Sequence, residues 1–267
     1  MNDENGNGKS GAEAAPPRPS GAPGKVLTDS LAKPLPRRFY KDVSVGDDAP
    51  FSVLLDGRPI KTPKKRSLSL PTRELAEAIA EEWRAQAELI NPAHMPLTRF
   101  ANTAIDAVAD TLDDVADDIA AYAGTDLVCY RAETPEKLVE LQAEHWDPIV
   151  AWANEALNTD FRVVFGIVHV AQPTAAIVAY ARALEPHDAM RLSGLHVITT
   201  LTGSALIALA IDREWLSPDA AWKAAHVDED YQISVWGEDS EALARRRARR
   251  AEFDAAVQFL SLRGKVT

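Results

Sequence analysis

The sequence predicts an α+β protein in which a small N-terminal β domain, residues 37–71, precedes a larger all-α domain, residues 72–267. Three observations carry that reading. Short alternating and β-branched runs cluster before Pro71, around an Asp56-Gly57 dipeptide. From Thr72 onward, apolar residues recur mostly every third or fourth position. Helix-start signals, such as Ser217 followed by Pro218, punctuate the second part.

Residues 1–36 are rich in Gly, Pro, Ala and polar residues and carry no apolar run. Such a segment buries too little surface to offset the entropy of ordering, so it reads as a disordered tail. It lacks the apolar centre of a secretory signal, and Asp3 and Glu4 do not suit a mitochondrial presequence. RRFYKDVSV and FSVLLDGRPIKT then give strand-like runs, with Asp56-Gly57 as a hairpin turn. SLSLP adds a short alternating piece.

Thr72 opens a helix through TRELAEAIAEEWRAQAELI, with Leu75, Ile79, Glu82, Trp83 and Gln86 at helical spacing and Asn91-Pro92 beyond its end. A second helix is expected from Thr98 to Tyr122, striped by Phe100, Ala104, Val108, Leu112, Val115 and Ile119 and capped by Gly124. TPEKLVELQAEHWDPIVAWANEAL gives a third, which Pro148 is expected to kink or divide. FRVVFGIVHV fits strand and helix alike. Helical patterns follow at about 173–185, 187–211, 217–236 and 239–260.

Composition narrows the function. The 267 residues are 46% hydrophobic and 26% charged, as in a globular protein with a real core. A formal net charge of -11 does not suit a broad nucleic-acid-binding surface. Cys129 is the single cysteine, which excludes an intrachain disulfide and a cysteine metal cage and suits a reducing compartment. The stretch 192–211 carries His196 and several hydroxyls, so it reads as a buried helix of small residues rather than a membrane span.

Catalytic signals are sparse. No glycine-rich phosphate loop, nucleophile elbow or two-histidine zinc helix occurs, and no catalytic residue, metal ligand or cofactor is assigned. Cys129 lies in the apolar TDLVCYR and reads as a core thiol. Glu144, His145 and Asp147 of EHWD point in different directions on a helix. His226, Asp228 and Asp230 alternate as ligands on a strand would, but on a helix they fan apart; a metal-dependent hydrolase using His226 and the neighbouring carboxylates is one alternative function. RRRARR, residues 245–250, supports another, a nucleic-acid-binding module. Against it, acids flank the run for ion pairs along the helix, and no aromatic platform accompanies it.

Trp222, His226, Glu229, Ile233 and Trp236 fall at alternating spacings of four and three, which on one helix makes a single face. Asp228 and Asp230 lie off it. Glu229 is then a carboxylate inside an aromatic and apolar stripe. Either it is a core acid paired with an arginine, or the stripe is an exposed amphipathic surface of the kind found at interface hot spots. Spacing leaves the two open.

LDGRPIKTP, AIAEEWRAQ, INPAHMPLTRFANTAID, YAGTDLVCYRAETPEKLVELQAEHWDPIVAWA and VDEDYQISVWGED, in that order, together resemble the ATP synthase assembly chaperones that act on the alpha subunit, a family of mitochondria and alphaproteobacteria. The resemblance runs from about Arg38 to Phe259 and is weakest near 160–215. It implies a similar fold and a non-catalytic protein without cofactors. Such a protein binds the free alpha subunit of the catalytic head and prevents its self-association before beta subunits replace the chaperone. Nucleic acid and an integral membrane segment have no part in that role. The implied location is the cytoplasm of a bacterium, or the mitochondrial matrix in eukaryotic relatives. Glu229, Asp228 and Asp230 match the family's acidic motif. With Trp222, Ile233 and Trp236 they are the first expectation for the partner surface, and Arg99 and Asn102 of PLTRFANTAID are the second.

Overall fold

The structure, a computed structural model, describes residues 34–166, 168–186 and 188–264; most of the predicted tail, residues 1–33, lies outside them. β1 (Val43–Val45) pairs antiparallel with β2 (Val53–Leu55), placing Val43 opposite Leu55 and Val45 opposite Val53. β2 turns directly into β3 (Arg58–Pro59). Asp56 and Gly57 make that turn with φ of 49° and 76°, the left-handed pair that matches strand twist in a two-residue hairpin. The SLSLP piece joins by single bridges, Ser67 to Lys61 and Leu70 to Phe51. Val53, Leu68 and Leu70 are buried in the same hydrophobic core as the helices, so packing is continuous across residue 71.

Thr72 caps α1 (Arg73–Arg84), its Oγ1 accepting from the Leu75 amide at 3.2 Å. The expected continuation to residue 90 does not form. Arg38 donates to the Arg84 and Gln86 carbonyls, which takes over acceptors the next turn would use. Gln86 turns inward, donating to the Glu82 carbonyl at 2.9 Å and accepting from the Asn91 amide at 2.7 Å.

The single helix expected over 98–122 is two, α2 (Pro96–Asp106) and α3 (Leu112–Ala123), joined through a short turn at Val108–Asp110. The Asp106 carboxylate accepts from Thr62 Oγ1 at 2.6 Å and the Lys64 amide at 2.8 Å, which ties the end of α2 to the β region. At the start of α2, the Glu82 carboxylate accepts from the Leu97 amide and from the Thr98 amide and hydroxyl at 2.7–2.8 Å. That explains a carboxylate within the apolar stripe of α1. Gly124 does cap α3, in the right-handed region.

β4 (Tyr130–Arg131) precedes α4 (Glu136–Leu157), which runs through Pro148 undivided. β5 (Val164–Phe165) pairs parallel with β4, so the ambiguous FRVVFGIVHV stretch is in part strand. After α5 (Thr174–Ala183), the 187–211 pattern divides into α6 (Ala189–Thr202) and α7 (Ala205–Asp212). Gly203 takes a left-handed φ of 69°, and the Ser204 hydroxyl caps α7 by accepting from the Ile207 amide at 3.0 Å. Among the described residues, no helix is long and apolar enough to cross a membrane. Cys129 is buried in the core, and burial pushes its thiol up to about 12.

The chain ends in α8 (Pro218–Ala225), α9 (Val227–Trp236) and α10 (Ser240–Leu262). α6 is the central helix, packed on α2, α3, α7 and α10. Gly194 sits where α10 crosses it: a Cβ there would lie 2.6 Å from Leu260 Cδ2 and 2.8 Å from Cγ. Gly194→Ala is therefore expected to lower the unfolding free energy by about 1–3 kcal/mol through overpacking. A urea titration measures this; a loss below about 0.5 kcal/mol would mean that Leu260 yields freely.

Candidate functional site

The predicted stripe from Trp222 to Trp236 is broken at His226. There φ is -125° and ψ 20°, outside the helical region, so α8 ends and α9 begins. The correction has a physical cause. His226 is buried, its Nδ1 lies 2.8 Å from the Trp222 carbonyl, and its ring stacks on Trp222 at 3.9 Å. Trp222 is itself buried against Phe253, with the Arg250 guanidinium over its ring. Burial lowers the His226 pKa, so the imidazole is neutral at neutral pH, with Nδ1–H donating to the carbonyl. Trp222 and His226 are thus core.

Beyond the break the chain is more exposed. Trp236 is 85% exposed and Val235 51%, while Ile233 is half-buried. The Glu229 side chain is 37% exposed, and His226 Nε2 lies 3.8 Å from its carboxylate, beyond hydrogen-bond range and on a neutral ring. The flanking acids anchor the helix. Asp228 accepts from Gln142 Nε2 at 2.7 Å, and Gln142 Oε1 accepts from the Ala132 amide at 2.7 Å, which ties α9 to α4 and the chain just after β4. Asp230 pairs with Arg246 of α10. Helix α9 is therefore fixed at its acidic end and presents aromatic and apolar side chains at the other.

The second expected surface is elsewhere. Arg99 on α2 donates to Glu252 at 2.6 Å, a residue about 18 Å along α10 from its start. Asn102 is half-buried on the same helix. Neither converges with α9.

The alternative chemistries find no geometry. Among the described residues, no three His, Cys, Asp or Glu side chains converge as metal ligands, and His226, Asp228 and Asp230 contact three different partners. Asp147 pairs with the buried Arg131 at 2.9 Å, not with Glu144 or His145. In the arginine run, Arg245 pairs with Glu241, Arg246 with Asp230, and Arg250 with Asp219 and Asp254, while Arg249 donates to the Leu201 carbonyl. Three of the five arginines are thereby ion-paired, while Arg247 and Arg249 have no acidic partner among the described residues.

Residues 37–154 match the family described as ATP12 chaperone protein. The crystal structure of Atp12 from Paracoccus denitrificans is 41% identical, with a TM-score of 0.81, covering 85% of this chain and 98% of that one. The chain belongs to the ATP12 chaperone family. A crystal structure of an Agrobacterium tumefaciens protein is 44% identical with a TM-score of 0.83, covering 90% of this chain and 91% of that chain. An aspartate-to-lysine mutant of the Paracoccus protein also matches, at 40% identity and a TM-score of 0.81 over the same shares of the two chains. A charge reversal in that relative thus leaves a fold as similar to this one as the unaltered protein is. The matched family segment ends within α4, so α9 lies beyond it.

Sequence reasoning missed Val235, Glu238 and Leu243, which stand beside Trp236 at the α9–α10 turn. The turn itself falls where the 217–236 and 239–260 patterns place it, and Asp239 caps α10 by accepting from the Ala242 amide at 2.9 Å.

Proposed function

We propose that the chain is a non-catalytic assembly chaperone of the F-type ATP synthase. It binds the free alpha subunit of the catalytic head through α9 and keeps alpha from self-associating until beta takes its place. The observation that carries this reading is Trp236, 85% exposed on a helix held rigidly at its other end, with Glu229 beside it lacking any Lys or Arg partner among the described residues. Covering a tryptophan of roughly 200 Å² contributes on the order of 5 kcal/mol before the costs of association. A single aromatic anchor with replaceable charges suits a partner that must be held and then released. Unassembled alpha exposes the surface it will bury against beta, and surfaces of that kind aggregate.

Size-exclusion chromatography tests the reading. The protein is expected to co-elute with purified free alpha and to run separately from the assembled catalytic head. Equal co-elution with both would contradict an assembly role.

A further inference from the structure

Helix α9 beyond Val227 and residues 240–252 of α10 contain no fully buried side chain, so together they form an arm at the edge of the helical core. Between the two helices lies a groove of about 270 Å³, lined by Glu229, Ile233, Trp236, Glu238, Leu243 and Arg246 among others. Its apolar lining includes Ile233, Trp236 and Leu243. Its charges are unbalanced: Arg246 is neutralised by Asp230, whereas Glu229 and Glu238 have no Lys or Arg partner among the described residues. The volume lies just below the roughly 300–1,000 Å³ range of small-molecule sites and suits one or two side chains.

We propose that this groove takes an amphipathic helical segment of the partner protein, one apolar side chain seated on Trp236 and Leu243 and an adjacent Lys or Arg lying between Glu229 and Glu238. The proposal rests on the reading of the arm as the alpha-binding surface and adds the chemistry that the arm selects. Charge complementarity argues for a basic segment: an acidic one would meet two uncompensated carboxylates, and a purely apolar one would leave them poorly solvated at the rim. Helical anchors at i and i+3 or i+4 present such a pair on one face.

Two designed amphipathic peptides, identical except for Lys or Glu beside the central Leu, are titrated against the full chain by fluorescence anisotropy. The Lys peptide is expected to bind at least about tenfold more tightly than the Glu peptide. Leu243→Asp is expected to weaken it by about tenfold, and Glu238→Gln to narrow the preference to about threefold. Leu243 is half-buried and Glu238 exposed, and far-UV circular dichroism of each variant checks that the fold is intact. Equal binding of the two peptides, binding of neither, or indifference to Leu243→Asp overturns the proposal. Free alpha is titrated in parallel. Alpha binding that survives Leu243→Asp removes the groove and leaves the chaperone reading standing. If the unaltered protein does not bind alpha at all, the chaperone reading fails, and the peptides decide the groove alone.

Discussion

Glu229→Lys is expected to weaken binding of free alpha by on the order of 2–5 kcal/mol, roughly thirtyfold or more, because it turns an attraction to a cationic partner into repulsion. The fold is expected to survive. The Glu229 side chain is 37% exposed, lies 3.8 Å from a neutral His226 and has no Lys or Arg partner among the described residues, so no such ion pair is lost. An exposed charge change of this kind alters stability by about 0.5 kcal/mol, a melting shift of about 1–2 °C for a chain of this size. Calorimetric melting and a binding titration on the same preparation read both quantities. A collapsed melting temperature would mean that Glu229 is a packing residue, and unchanged binding would remove it from the interface.

Asp212→Ala is expected to have the largest effect on the fold. The Asp212 side chain is only 6% exposed and ends α7 between two arginines. It accepts from Arg191 Nε and Nη2 at 3.0 and 2.8 Å and from Arg263 Nη2 at 3.1 Å, joining α7 to α6 and to the end of α10. Replacing such a pair with apolar groups can be neutral, but deleting one partner leaves the others buried and uncompensated. Arg191 keeps the Leu184 and Ala183 carbonyls, and Arg263 keeps Asp188 at 3.4 Å, so compensation is partial. The expected loss is about 3–5 kcal/mol, or about 10 °C in Tm. Thermal unfolding measures it, with Asp254→Ala as an exposed comparison expected to cost about 0.5 kcal/mol. A loss from Asp212→Ala no larger than that of the comparison would contradict a structural role for the cluster.

Local signals in the sequence located most elements. Thr72, Ser217-Pro218 and Asp56-Gly57 each form the cap or turn that their side-chain chemistry favours. Long-range polar contacts were not legible. The ends of α1 and α2 are set by Arg38 and by Thr62 with Lys64, which act from the β region and leave no mark on helical periodicity. The Gly203-Ser204 break did carry a signal, a left-handed glycine followed by a capping serine, inside a stretch whose hydrophobicity concealed it. For the candidate site, spacing places Glu229, Ile233 and Trp236 on one face but assumes a straight helix through Trp222. The break at His226 sends Trp222 into the core and leaves the later residues outside, a division that no periodicity encodes. The Asp212 cluster joins residues from three separate helical segments, and only the fold brings them together.

Cysteine footprinting on α9 shows whether free alpha covers that helix. Ser234 is exposed on the helix, next to Val235 and Trp236, and the native Cys129 is buried with its thiol pushed up to about 12, so a Ser234→Cys variant offers a single reactive thiol. The rate of maleimide labelling is measured for the variant alone, with saturating free alpha and with the assembled catalytic head. Binding through α9 predicts labelling slowed at least about tenfold by free alpha and unchanged by the head. Labelling at one rate under all three conditions, while alpha is bound, would place the contact elsewhere on the protein.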